Sequence, residues 1–296
     1  MPFIAGPTGS GKTVFGIGLY RFISGKARLD NDAIELGSTE FSPSLDDLYS
    51  YMLKTGKYPK ATTDRELRIY RFKIPKLFGD IISVEFVDYR GELLETLPEW
   101  MRRYNEILEV ISQYFDNEFL EKVMVRSVTF DDLKNIKIPE NEAIYVLRAY
   151  LISQLYNNQK LIFLLDGKKI LDFLNGSDVS IVDDLNTYKE CIKGKKTACF
   201  VITKADMLDN LFQYETGKTQ IENKKDFIKW IDKKLSREED TLIPSYVELK
   251  NMGVKKIFAT TVRPVKYSSK SKVNVWGFEE IKKWVEDTSL IGGGIL

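Results

Sequence analysis

Short apolar runs alternate along this chain with longer segments of helical periodicity. Phe3-Ile4-Ala5 opens it as a strand, and residues 14–23 follow with Phe15, Leu19 and Phe22 near helical spacing. Residues 25–63 are polar and read as loop, with one helix at 44–54. Residues 66–74 alternate imperfectly through Leu67, Ile69, Phe72 and Ile74, and 81–87 is a second β-rich run. Leu77-Phe78-Gly79-Asp80 between them reads as a hairpin turn, which predicts antiparallel neighbours. Residues 93–158 are helical in character. Within them, 99–125 carries Ile107, Leu108, Ile111, Phe115, Phe119 and Val123, and 142–155 forms a further helix after Pro139. Leu161 to Leu165 is a continuous apolar run, the signature of a strand buried on both faces. Asp166-Gly167 ends it, and Asp166 reads first as a turn residue. A helix at 179–192, a strand at 198–202, an amphipathic helix at 221–235, a strand at 256–261 and a last helix through Phe278, Ile281, Trp284 and Val285 complete the pattern.

This alternation predicts an α/β fold in three layers. The expected sheet is mostly parallel, of about six strands, with one antiparallel edge strand. The chain reads as one domain over 1–296 with a helical insertion at 93–158. The glycine-rich end, 289–296, is expected to be a flexible tail.

Composition narrows the chemistry. With 44 Lys plus Arg against 43 Asp plus Glu, the net charge is +1. That balance gives no whole-chain reason to expect a nucleic acid or an anionic membrane. The lysine-rich stretches at 193–196 and 266–272 lack interleaved aromatics beyond Tyr267 and read as solvated surface. The absence of histidine excludes Ser-His-Asp and Cys-His catalysis and histidine-ligated metals. Cys191 and Cys199 are too few for a four-thiolate zinc site and read as buried thiols of a reducing compartment. No apolar window is long enough to span a membrane, and the first residues carry no charged lead or apolar core of a signal peptide. A cytoplasmic location is the expectation.

The chemistry concentrates in short motifs. Gly6-Pro7-Thr8-Gly9-Ser10-Gly11-Lys12-Thr13 lies between the first strand and the first helix, the context a phosphate-binding loop needs. Its amides face phosphates, Lys12 reaches the outer ones, and the Thr13 hydroxyl can hold magnesium. Asp88-Tyr89-Arg90-Gly91 ends a strand downstream. D-x-x-G is too short to carry weight by itself, but this placement gives it meaning. Asp88 can hold a magnesium-bound water, and the Gly91 amide can approach a terminal phosphate unhindered by a side chain. Thr203-Lys204-Ala205-Asp206 follows the fifth strand.

In this order, each after an apolar strand, the motifs resemble those of the Ras-like P-loop GTPases, as a divergent prokaryotic member. The resemblance implies a P-loop NTPase fold binding GTP or GDP with Mg2+. It implies that Gly6, Gly9, Ser10, Gly11, Lys12, Thr13 and Val14 hold the nucleotide, and that Asp88 with Thr13 serves the metal. Thr203-Lys204-Ala205-Asp206 stands where the family usually has N-K-x-D. There Asp206 accepts hydrogen bonds from the N1 and N2 groups of guanine, and Lys204 lays its stem over the base. A base-contacting loop after the sixth strand points to Thr260 and Thr261. A switch threonine, ligating magnesium, belongs in Tyr58-Pro59-Lys60-Ala61-Thr62-Thr63, with Thr62 favoured, Thr63 next and Thr39 third. The catalytic set is then Lys12, Gly91, Thr62 and Glu92. Glu92 replaces the water-orienting glutamine common in small GTPases, which implies slow intrinsic hydrolysis. Arg90 reads as a surface salt-bridge residue.

The resemblance implies a molecular switch. Its partner would be a protein effector or regulator meeting the switch loops and the 93–158 insertion, or a second GTPase or second copy of the chain. An ATP-dependent P-loop enzyme or motor, and a scaffold that holds nucleotide without hydrolysing it, are the alternatives.

Overall fold

The computed structural model describes residues 2–7, 9–24, 30–36, 43–60, 67–75, 81–88, 92–134, 136–158, 160–192, 197–236, 243–267 and 270–287. Strand β1 (Pro2–Ala5) leads through the glycine loop into helix α1 (Lys12–Ser24). Next come β2 (Asn31–Leu36), α2 (Leu45–Thr55), β3 (Leu67–Pro75) and β4 (Ile81–Asp88). Helices α3 (Glu92–Arg102), α4 (Tyr104–Ile111), α5 (Asn117–Met124), α6 (Phe130–Leu133) and α7 (Ala143–Asn157) intervene before β5 (Lys160–Asp166). After it run α8 (Gly167–Leu174), α9 (Ser180–Cys191), β6 (Thr197–Thr203), a 3-10 turn (Ala205–Leu208), α10 (Asp209–Thr216), α11 (Lys224–Ser236) and α12 (Pro244–Asn251). Strands β7 (Val254–Ala259), β8 (Thr261–Tyr267) and β9 (Lys270–Trp276) and helix α13 (Glu279–Glu286) end the described chain.

Seven strands form one sheet in the order β2-β3-β4-β1-β5-β6-β7, and β8 and β9 pair separately as an antiparallel ribbon. All neighbours from β4 to β7 are parallel, while β3 runs antiparallel to both β2 and β4. Two expectations are corrected here. The sheet has seven strands rather than about six, and its antiparallel strand is second from the edge rather than at it. The reason is β2, which lies within the stretch read as loop. It is half-buried through most of its length and among the described residues pairs with β3 alone, so its sequence lacks a continuous apolar signal.

The helical stretch over 99–125 is divided among parts of three helices. Arg103 separates α3 from α4. Asp116 restarts the chain by accepting a hydrogen bond from the Phe119 amide at the head of α5. The predicted helix at 44–54 forms as α2, capped reciprocally by Ser44 and Asp47 and closed by left-handed Gly56. The strand expected at 256–261 is β7, which stops at Ala259, frees Thr260 for a turn and lets β8 start at Thr261. The predicted hairpin turn at 77–80, the tail at 289–296 and the lysines at 193–196 lie outside the described residues.

The sheet is covered on both faces. Leu161, Phe163 and Leu165 of β5 join a core with α3–α7, α9, α11 and α12. Ile162 and Leu164, alternating with them, join a second core with α1, α2, α13 and the β8–β9 ribbon. This is the three-layer arrangement, with β5 buried on both sides as its apolar run requires. The carboxyl ends of β1, β4, β5, β6 and β7 therefore share one edge. Because β3 is antiparallel, its beginning joins the same edge, with Arg68 opposite Asp88.

One polar cluster penetrates the first core. Glu85 of β4 is fully buried and accepts from Arg71 Nε of β3 at 2.6 Å and from the Tyr150 hydroxyl of α7 at 2.5 Å. Arg71 also forks onto Asp131 of α6 at 2.9 and 3.0 Å and lies 4.1 Å from the centre of the Phe130 ring. The two strands that flank the expected switch segments are thus bonded directly to α6 and α7.

Candidate functional site

The edge where the strands end gathers most of the motif residues that the structure describes. Gly9 and Gly11 both adopt φ of +75°, a left-handed conformation that glycine takes without strain. They turn the chain so that α1 starts with its amides toward the open edge. Ser10 tightens the loop by donating from Oγ to the Pro7 carbonyl at 2.8 Å. Lys12 is buried, and its Nζ folds back onto the carbonyls of Gly6 at 2.9 Å and Pro7 at 3.1 Å. Burial pulls its pKa down to about 8, against the carboxylates of Asp88, Glu95 and Asp184, with the Lys169 ammonium adding to the lowering.

That value has a consequence for anion binding. Below about pH 8 the free protein already carries the charge on Lys12. Above it, binding a phosphate must first take up a proton. Affinity for a nucleotide is therefore expected to fall with rising pH, by at most about tenfold for each pH unit above that point, until the pKa of the bound form is passed. Titrations between pH 7 and about 10 check this. In an otherwise folded protein, an affinity flat across that range contradicts it.

Thr13 and Asp88 lie seventy-five positions apart, and the Thr13 hydroxyl donates to Asp88 Oδ1 at 2.6 Å. Asp88 is buried at the last position of β4. Behind this pair the ladder sets Arg68 opposite Asp88, and Arg68 Nε donates to Glu35 Oε2 at 2.9 Å. Magnesium prefers hard oxygen donors, takes one or two from protein, and fills its remaining positions with water and phosphate oxygens. A hydroxyl and a carboxylate converging beside Lys12 fit that demand. Among the described residues no group of three or more acidic, cysteine or histidine side chains forms a metal cage, so such an ion would depend on phosphate oxygens as well.

On the other side of the loop, Thr203 is buried at the end of β6. Its hydroxyl lies within hydrogen-bond reach of the carbonyls of Ser10, at 2.7 Å, and Leu165, at 3.2 Å. Thr203 thus braces the strand against the phosphate loop. Lys204 takes a left-handed backbone with φ of +49°. Its Nζ donates to the Gly9 carbonyl and to Asp166 Oδ2, both at 2.7 Å. Asp166 also accepts from the Lys168 amide at 2.9 Å, capping α8. The residue read first as a turn former is therefore part of the site. The signal available for it was D-G at the end of a buried strand, but its partner lies thirty-eight positions away.

Asp206 sits in the 3-10 turn, and the Thr261 hydroxyl donates to its Oδ1 at 3.2 Å while accepting from its backbone amide at 3.2 Å. The Ala205 amide bonds the Thr260 carbonyl at 3.1 Å, and the Thr260 amide bonds the Ile202 carbonyl at 2.8 Å. The two turns after β6 and β7 are laced together by these bonds. Between them and the start of α1 lies a pocket of about 280 Å³. Val14, Phe15, Met207 and Val262 supply apolar walls, Asp206 and Lys204 the charged groups, and the half-exposed Tyr58 one side.

Gly167 shows how close these elements run. A methyl group there would stand 2.6 Å from the Lys204 carbonyl oxygen and 2.7 Å from that of Thr203. Gly167→Ala is expected to cost about 1–3 kcal/mol of stability and to displace the Thr203-Lys204 backbone. Thermal unfolding and nucleotide titration together check it; an unchanged melting point contradicts it.

Thr8, Thr39, Thr62, Thr63, Tyr89, Arg90 and Gly91 lie outside the described residues, as does the side chain of Glu92, which opens α3. Tyr58, which was named only as the start of the switch segment, proves to line the pocket. No protein-family model matches this chain, and no curated protein matches it in sequence.

Proposed function

We propose that this chain is a P-loop GTPase that binds GTP with magnesium and hydrolyses it slowly to GDP and phosphate, as a nucleotide-dependent switch. The observation that carries this reading is the 2.6 Å bond from Thr13 to Asp88 beside buried Lys12. It brings the glycine loop and D-x-x-G together from distant parts of the chain. Thr203, Lys204 and Asp206 stand across the same loop.

Each residue then has a role. The amides from Gly9 to Thr13 receive phosphate oxygens at the start of α1. Lys12 exchanges the carbonyls of Gly6 and Pro7 for the outer phosphates. Thr13 and Asp88 would hold a magnesium ion, which supplies neutralisation of phosphate charge. Asp206 accepts from N1 and N2 of guanine, a donor pair that adenine does not present on that edge. Thr260 and Thr261 set the turn that holds Asp206 in place. Attack is by water, in line, on the γ-phosphate, with Lys12 and the loop amides stabilising the charge that develops.

Loss of the γ-phosphate would release Thr62 and Gly91. Helices α3–α7 follow the expected γ-phosphate sensor directly, which supports them as the surface that a protein effector or regulator reads. A second GTPase or a second copy of the chain is the other occupant of that role. Single-turnover phosphate release from bound GTP tests the switch. Slow, magnesium-dependent release supports it, and GTP retained intact leaves a nucleotide-holding scaffold instead.

A further inference from the structure

We propose that the exposed face formed by the end of α2, the segment behind it and the β8–β9 ribbon is a docking surface for anionic lipid headgroups. Lys54, Lys57 and Lys60 lie along the end of α2 and the four residues after Gly56. Arg263 and Lys272 lie on the ribbon face turned away from Val262 and Val273, Lys266 lies near the hairpin end, and all six are exposed. The ribbon packs on α2, burying Val262 and Val273 in the core that also takes Leu48 and Leu53. Tyr58, next to Lys57, lies within electrostatic range of Arg263. Partial burial raises its phenol, the Asp206 carboxylate adds to this, and the Arg263 guanidinium opposes it.

The charge of this face is unlike that of the whole chain. No acidic residue occurs from 48 to 63 or from 249 to 278, although the net charge is only +1. Among the described residues none of the six cations forms an ion pair. Elsewhere Lys122, Lys134, Lys218 and Lys250 are each held by a carboxylate. The unpaired cations repel one another, and an anionic surface relieves that repulsion.

Lipid suits this face better than a folded acidic partner or RNA. Five of the six cations are lysines, which act as compact point charges and make no bidentate fork. None of them lines the pocket beside Asp206 or the cleft on the helical insertion. Exposed Tyr51 has the amphipathic ring that settles at headgroup depth. No helix among the described residues is long and apolar enough to cross a membrane, so attachment here is peripheral. The proposal does not rest on the nucleotide reading: of the six cations only Lys60 falls in the segment assigned to the switch threonine, and the vesicle test needs no nucleotide.

The test is sedimentation of the full chain with vesicles of phosphatidylcholine alone, and of phosphatidylcholine with one-third phosphatidylglycerol, at physiological salt. Binding to the second and not the first is expected. Lys57→Glu/Lys272→Glu should weaken it at least about thirtyfold. Lys255→Glu/Lys256→Glu makes the same change of charge on exposed positions of β7 and should leave binding within about threefold of wild type. Melting curves of both doubles establish that they fold. No binding to anionic vesicles, equal loss in the two doubles, or binding to a uridine oligonucleotide in place of vesicles would overturn the proposal.

Discussion

Lys12→Met is expected to weaken GTP binding by roughly thirty- to several-thousandfold while leaving the fold as stable as before or more so. Truncating one side of a desolvated, hydrogen-bonded charge pair costs about 2–5 kcal/mol of binding. Lys12 is buried, so its ammonium would meet phosphate with little competition from water. Without phosphate its ammonium bonds the neutral carbonyls of Gly6 and Pro7, and burial already drives its pKa down to about 8. The lowered pKa means that the charged form is a burden on the fold below that pH. The unfolded chain keeps its proton up to the ordinary lysine value, so this burden is relieved as pH rises through about 8 toward that value. Methionine fills a similar volume without the charge. Calorimetric titration and thermal unfolding of the same variant read the two effects. Undiminished affinity would mean that Lys12 does not meet phosphate, and a large drop in melting point would mean that it is a structural residue.

The second large effect concerns stability. Arg71→Met should destabilise the protein by about 3–5 kcal/mol, because among the described residues it leaves Glu85 in the core with Tyr150 alone to bond it. Arg71→Met/Glu85→Leu should recover most of that loss, since replacing a whole buried pair by apolar groups is often neutral. Burial raises the Glu85 pKa, against the Tyr150 hydroxyl and the Arg71 guanidinium. Removing the guanidinium raises it further. The burden is therefore greatest where the unfolded chain is ionised, and lowering the pH through the raised pKa should narrow the gap between Arg71→Met and wild type. Urea titrations at two pH values measure this. A double variant no more stable than the single would show that the loss comes from Arg71's other contacts, Asp131 and Phe130.

Much of this was legible in the residues, and what was not has identifiable causes. The glycine loop could be read because a strand, left-handed glycines and a helix are all local in sequence. β5 could be read because a strand buried on both faces is apolar without interruption. β2 could not, because an edge strand leaves most of its side chains half in water. The ribbon is hidden in the sequence because Pro264 and the lysines interrupt its alternation, so that 266–272 reads as solvated surface. Asp166 and Glu85 show the larger limit. Each reads as an isolated acid at or in a strand, and only the sheet order brings Lys204, Arg71 and Tyr150 to them. Thr203 is a related case. T-K-x-D gives no sign that its hydroxyl reaches the Ser10 and Leu165 carbonyls.

The guanine site is the claim on which the rest depends. Its most direct test is a titration of GTP against ATP, with magnesium, on wild type and Asp206→Ala. The account predicts that GTP binds in preference to ATP and that the variant loses about ten- to a hundredfold of that preference, the worth of one paired polar contact to a base. ATP affinity should hold. Equal binding of the two nucleotides by the wild type, or a preference that survives in the variant, would contradict it.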